Sequence, residues 1–104
     1  PCLSDGLKSM PNLAELAPFL RALADDTRLR LVMLLAQQEP GVAMCVNRLA
    51  RELGTSAPNV SQHLRVLKDL GLVYGERRRY RIHYFLARDR FRYYAELVPA
   101  LLGD

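Results

Sequence analysis

Cysteine and histidine are scarce in this chain of 104 residues, with two of each. Two thiols, Cys2 and Cys45, do not make a disulfide framework; they read as spare residues, a metal pair or a redox pair. Two histidines, His63 and His83, supply no converging nucleophile, base and orienting group, so the chain is not expected to be an enzyme. No Gly-rich phosphate loop is present either. Long apolar runs are missing: the longest uncharged one, Leu31 to Ala36, is far too short to span a bilayer. The opening residues PCLSDGLKSMPN lack the charged-then-apolar order of a signal peptide. No tandem repeat or low-complexity tract occurs. A cytoplasmic protein with no membrane partner is the expectation.

What the chain does have is positive charge. A net charge of +4 and a pI near 9.5 favour a polyanionic partner. Half the residues are apolar, ordinary for one globular domain of this size. Residues 1–10 mix Pro, Ser, Asp and Gly and read as a flexible arm; residues 11–104 read as the folded domain.

The centre of the domain is NRLARELGTSAPNVSQHLRVLKDLG, residues 47–71. Leu49, Ala50 and Leu53 recur at helical spacing, and Gly54 suits a helix C-terminus. Thr55 or Ser56 then caps a second helix whose first turn accepts Pro58. Val60, Leu64, Leu67 and Leu70 form its apolar stripe, and Gly71 ends it. The other face carries Asn59, Ser61, Gln62, His63, Arg65 and Lys68, residues that suit base edges and phosphates. Two helices about a tight Gly-bearing turn predict a helix-turn-helix.

Before this motif, Leu13, Leu16, Ala17, Leu20 and Leu23 predict an amphipathic helix that Pro18 should kink or restart. Asp25 or Asp26 caps the next helix, DTRLRLVMLLAQQ, whose apolar run predicts burial on most sides; Pro40 and Gly41 should end it. Residues 42–46 read as a short apolar link. After Gly71 the period changes. Leu72, Val73 and Tyr74 predict one strand, and Tyr80, Ile82, Tyr84 and Leu86 alternate as the covered face of another. A connection over Gly75–Arg79 makes them a hairpin whose tip holds Arg77, Arg78, Arg79 and Arg81. Arg clusters of this kind suit phosphates and narrow minor grooves. In the last segment Phe91, Tyr94, Ala95, Val98 and Leu101 recur at helical spacing, with Pro99 awkward for a long helix. That stripe covers either the chain's own core or a second copy. His83 reads as a surface residue on its strand.

The predicted fold class is therefore mainly α with a small β-hairpin, a winged helix-turn-helix. Over residues 13–102, ALADDTRLRLVMLL (22–35), LARELGTSAPNVSQHLRVLKDLGLV (49–73) and YRIHYFL (80–86) resemble the ArsR/SmtB family of metal-responsive repressors. The resemblance implies a homodimer joined by its first and last helices, through Leu13, Leu16, Leu20, Phe91, Tyr94, Val98 and Leu101. It implies a palindromic double-stranded operator, read through Thr55, Ser56, Asn59, Ser61, Gln62, His63, Arg65 and Lys68 with the four wing arginines. It also implies an inducer, often a metal or metalloid ion, that releases the DNA.

Two departures bear on that inducer. Relatives that sense arsenic, lead or cadmium often carry Cys-x-Cys where the helix-turn-helix begins; here the segment is Cys45-Val46-Asn47. Relatives that sense zinc often use histidines on the last helix, and this chain has Asp89 and Glu96 there without one. A soft-ion site for arsenite, cadmium or lead would thus combine Cys2 and Cys45 with a third ligand such as Asp5, a water or a small thiol. The sequence places no arginine beside Cys45 to activate it. A thiol-redox switch, or an interaction module without inducer, are the alternatives. Many relatives have Gly at the hairpin position of Arg79, which leaves the wing turn open.

Overall fold

In a computed structural model, residues 13–39 and 42–103 are described. The expected arm (1–10), with Cys2 and Asp5, and the expected helix stop at Pro40 and Gly41 lie outside them. Helix α1 (Leu13–Leu23) runs through Pro18, so the helix does not restart there; the ring removes the N–H that the Ala14 carbonyl would otherwise receive. Its buried face is Leu16, Phe19 and Ala22. Leu13 and Leu20 are exposed, because the core-facing line follows Phe19 rather than the leucines.

Asp25 caps α2 (Asp26–Ala36), its side chain accepting from the N–H of Arg28 at 3.0 Å. Only Leu31, Val32 and Leu35 of α2 are buried. Leu29 and Met33 face outward, so the helix is one-sided rather than buried on most sides. The helix ends at Ala36, ahead of Pro40.

The segment read as a link contains a strand, β1 (Met44–Cys45). Helices α3 (Val46–Leu53) and α4 (Ala57–Asp69) follow, joined by Gly54-Thr55-Ser56. Gly54 takes φ 68, the left-handed conformation expected of a helix C-terminal glycine. The Thr55 N–H closes the turn onto the Ala50 carbonyl at 3.0 Å.

Strands β2 (Val73–Arg78) and β3 (Arg81–Leu86) are antiparallel, with Arg78 opposite Arg81. The connection is therefore Arg79-Tyr80, shorter than the expected Gly75–Arg79. Gly75 lies inside β2, where an added Cβ would stand 2.7 Å from the Ile82 side chain and 3.2 Å from Tyr84. Glycine lets the strand continue there. With β1 on the outer edge of β3, the sheet has the order β1-β3-β2 and three strands rather than two.

The alternation expected of β3 holds only at its base. Tyr84 and Leu86 pack against the core, whereas Ile82 is exposed and Tyr80 belongs to the turn. Phe85, on the opposite face, is buried by Tyr74 stacked at 5.0 Å and Arg78 lying 5.3 Å over its ring.

The last helix, α5 (Arg88–Ala95), is shorter than the stripe suggested; Val98–Leu102 forms a 3-10 turn with Pro99 in its first positions. Pro99 is tolerated there because early N–H groups have no helical partner. Phe19 stacks on Tyr94 at 4.9 Å and meets Phe91 edge-on at 5.5 Å. The Tyr94 hydroxyl donates to the Leu70 carbonyl at 3.3 Å and accepts from Arg90 at 3.1 Å. This aromatic knot ties α1 and α5 to the end of α4. One core, built from Leu31, Leu35, Met44, Leu49, Val60, Leu64, Leu67, Leu72 and Val73, thus fixes α4 and the hairpin relative to each other.

Candidate nucleic-acid interface

Helix α4 begins where sequence chemistry says it should. Ser56 is its N-cap, accepting from the N–H of Asn59 at 3.2 Å, and Pro58 sits in its first turn. Val60, Leu64 and Leu67 bury one face, which turns Ser61, Gln62, Arg65 and Lys68 to the outside. Asn59 and Thr55 are half-buried and joined to each other, the Asn59 amide donating to the Thr55 hydroxyl at 3.0 Å. That bond uses one of the two Asn59 amide N–H donors and leaves the other N–H and the side-chain oxygen.

His63 is placed differently from the expectation. It is half-buried against the start of α2, not on the open face of α4. Arg28 donates to its Nδ1 at 3.2 Å and to the Ala22 carbonyl at 2.7 Å. A guanidinium only donates, so Nδ1 accepts and the ring proton falls on Nε2. Asp25 lies 3.8 Å from the same nitrogen. His63 therefore positions α4 on α2.

Arg77, Arg78, Arg79 and Arg81 are all exposed on the hairpin. Arg78 is engaged by Phe85 and by Glu76 at 3.9 Å. A cleft of about 330 Å³ lies between hairpin and helix-turn-helix, lined by Ser61, Arg77, Tyr80, Arg81 and Cys45 among others. The recognition helix and the wing thus open onto one basic cleft, the arrangement needed to meet a duplex at its grooves and its phosphates. Sequence reasoning passed over Arg48 and Arg51, both exposed on α3. Their signal was available, since the first helix of such a motif crosses the DNA backbone. It also passed over Tyr80.

Cys45 ends β1 and stands at the N-cap of α3 with no side-chain cap hydrogen bond. Strand pairing brings Arg81 to it, with the guanidinium 3.8 Å from the sulfur, which corrects the reading that no arginine is near. The Arg48 N–H at the helix start, and then Arg81, hold the thiol below its ordinary range against the opposing effect of burial. The same pairing sets His83 directly across from Cys45 and Glu76 directly across from His83. Among the described residues no three His, Cys, Asp or Glu side chains are grouped to hold a metal ion.

Of the residues expected at a dimer contact, Leu13, Leu20, Val98 and Leu101 are exposed. Leu16 and Tyr94 are buried in the chain's own core, and Phe91 packs against it. No described helix is long and apolar enough to cross a membrane.

Fold and cleft together define a winged helix-turn-helix DNA-binding domain. The bacterial regulatory protein arsR family model matches residues 25–74. A helix-turn-helix transcriptional regulator of Methanocaldococcus jannaschii is 32% identical over 88% of this chain and all of its own length. A transcriptional repressor described as an SmtB homologue, from Synechocystis, is 39% identical over 76% of this chain and 57% of its own. A probable mercury resistance operon repressor of Streptomyces lividans is 36% identical over 85% of this chain and 67% of its own. Among solved structures, an ArsR-like regulator from Rhodococcus superposes with TM-score 0.72 at 26% identity, covering 86% of this chain and 81% of that one. A homodimeric winged helix-turn-helix domain from Mycobacterium bovis gives TM-score 0.68 at 33% identity, covering 88% and 81%. The chain belongs to the ArsR/SmtB family of transcriptional regulators. It is a DNA-binding regulator and not an enzyme.

Proposed function

We propose that the protein is a homodimeric repressor that binds a palindromic operator and leaves it when an inducer binds. The observation that carries the reading is the shared cleft, where Ser61 of α4 and Arg77 and Arg81 of the wing face the same space. In each half-site, Gln62, Ser61 and the free edge of Asn59 read bases, while Arg65, Lys68 and the wing arginines hold phosphates or the minor groove. Exposed Leu13, Leu20, Val98 and Leu101 form the contact between copies, consistent with the homodimeric M. bovis domain.

For the inducer, we propose a soft metal or metalloid ion at the Cys45 thiolate, with Cys2 as the second sulfur. The depressed thiol and the metal-resistance relatives support this reading. Oxidation of the thiol is the second reading, favoured by Arg81 beside the sulfur. A duplex selected from genomic fragments tests both. Native protein at twice the chain mass should bind it, and arsenite, cadmium or lead should release native chain but neither Cys45→Ser nor Cys2→Ser. Release by peroxide alone, lost in Cys45→Ser, would replace the ion with oxidation. Release of all three chains alike sinks the cysteine site, and affinity independent of salt sinks the DNA reading.

A further inference from the structure

The tip of the wing holds an aromatic ring that supports nothing in the fold. Tyr80 is 96% exposed, while Tyr74 and Tyr94 stack on Phe85 and Phe19. The other residue of the two-residue connection is Arg79, the only described non-glycine residue with positive φ, at 58°. An L residue adopts that conformation at a cost, and a two-residue hairpin turn requires it of its first residue, which leaves Tyr80 at the tip of the turn. Arginines 77, 78, 79 and 81 flank Tyr80 along the hairpin, all exposed. Tyr80 and Ser61 of the recognition helix line one cleft, so ring and reading helix address the same side of a duplex.

We propose that Tyr80 is a minor-groove wedge: the arginines draw the wing tip into the groove and the ring leans into one base step. The proposal rests on the DNA-binding reading above and adds a specificity-determining residue to it. A narrow minor groove concentrates negative potential that attracts arginine. Apolar side chains carried into such grooves partly unstack a step and kink the helix, and an aromatic face stacks on any exposed base. Unstacking costs least at pyrimidine–purine steps such as TA and CA. Tyr80 therefore reads deformability at the wing-facing step while α4 reads base edges. The ring, not the hydroxyl, makes the interaction, so phenylalanine replaces it.

The test uses the selected operator duplex, with the wing-facing step located by hydroxyl-radical footprinting and labelled with 2-aminopurine. Native chain, Tyr80→Phe and Tyr80→Ala are compared; equal melting temperatures confirm that an exposed ring has been changed without loss of fold. Native and Tyr80→Phe should raise 2-aminopurine fluorescence and favour TA over AA at that step by about tenfold, the scale of one mismatched base pair. Tyr80→Ala should lose both while keeping its base preference under α4. An unchanged signal and step preference in Tyr80→Ala overturns the wedge, as does Tyr80→Phe behaving like Tyr80→Ala. Native chain that binds with silent 2-aminopurine also sinks the wedge and leaves the DNA reading standing. Native chain that does not bind at all sinks the DNA reading itself.

Discussion

Removing Arg77 separates phosphate holding from base reading in one experiment. Arg77 is exposed on β2 opposite Ile82 and lines the cleft that Ser61 shares. It is the better choice than Arg78, whose guanidinium already lies over Phe85 and near Glu76. Each phosphate neutralised adds about 0.9 to the slope of log affinity against log salt. A two-fold dimer repeats every contact, so Arg77→Ala should flatten the slope by about 1.8. Between about 50 and 200 mM salt, the affinity lost by the variant should be about twelvefold smaller than that lost by native chain. The loss at fixed salt should be similar on operator and random duplex. Gln62→Ala should do the opposite, costing about 1–3 kcal/mol in each half-site on operator alone, so about twice that for the dimer, with the slope unchanged. Anisotropy titrations across a salt series measure both. A flattened slope in Gln62→Ala with an unchanged slope in Arg77→Ala would refute the division of labour between helix and wing.

Three further outcomes are expected. Asp25→Ala removes the α2 cap at a cost of about 1 kcal/mol, while Asp25→Asn keeps it; urea unfolding distinguishes them. Because Asp25 is held below its ordinary pKa, chiefly by the Arg28 N–H, its contribution is complete above the unfolded carboxylate pKa and disappears as pH falls through the lowered folded value. The acid limb of stability against pH should therefore be shallower in Asp25→Asn. Arg79→Gly should leave stability within about 0.5 kcal/mol, since relief of the left-handed backbone is offset by unfolded-chain entropy, yet lower DNA affinity by removing a wing charge. In a Cys2→Ser background, alkylation of Cys45 should become half-maximal below the pH of a free thiol, and Arg81→Ala should move that point upward; an unmoved midpoint refutes the contact as a cause.

The helix-turn-helix was legible because its signals are local. Gly54, Ser56 and Pro58 act within a few residues of themselves, and the Val60, Leu64, Leu67 line needs only the helical period. The dimer-facing residues were harder. Leucine spacing drew α1 through Leu13, Leu16 and Leu20, but Phe19 outweighs them by stacking on Tyr94, a contact between distant segments. The same knot takes Leu16 and Tyr94 into the core and leaves Leu13 and Leu20 outside. His63 shows the same limit. Its place on the polar side of α4 follows from sequence, whereas its turn toward Arg28 and Asp25 depends on how α2 packs.

Strand pairing decides the chemistry at Cys45, and it is the part that sequence order hides most completely. Two residues, Met44 and Cys45, have no alternation to reveal a strand; they become one only by pairing with Tyr84 and His83. Adjacent residues in a strand face opposite ways, so this register sends Met44 into the core and Cys45 outward with Arg81 and His83. A slip of one residue would reverse both side chains, burying the thiol and exposing the methionine. The buried Met44 therefore does more than fill the core. By locking the register, it keeps the sulfur on the face where Arg81 can reach it and where the α3 N-terminus is open. A polar residue at Met44 should loosen that lock, and with it lose the low thiol pKa on which either inducer reading depends.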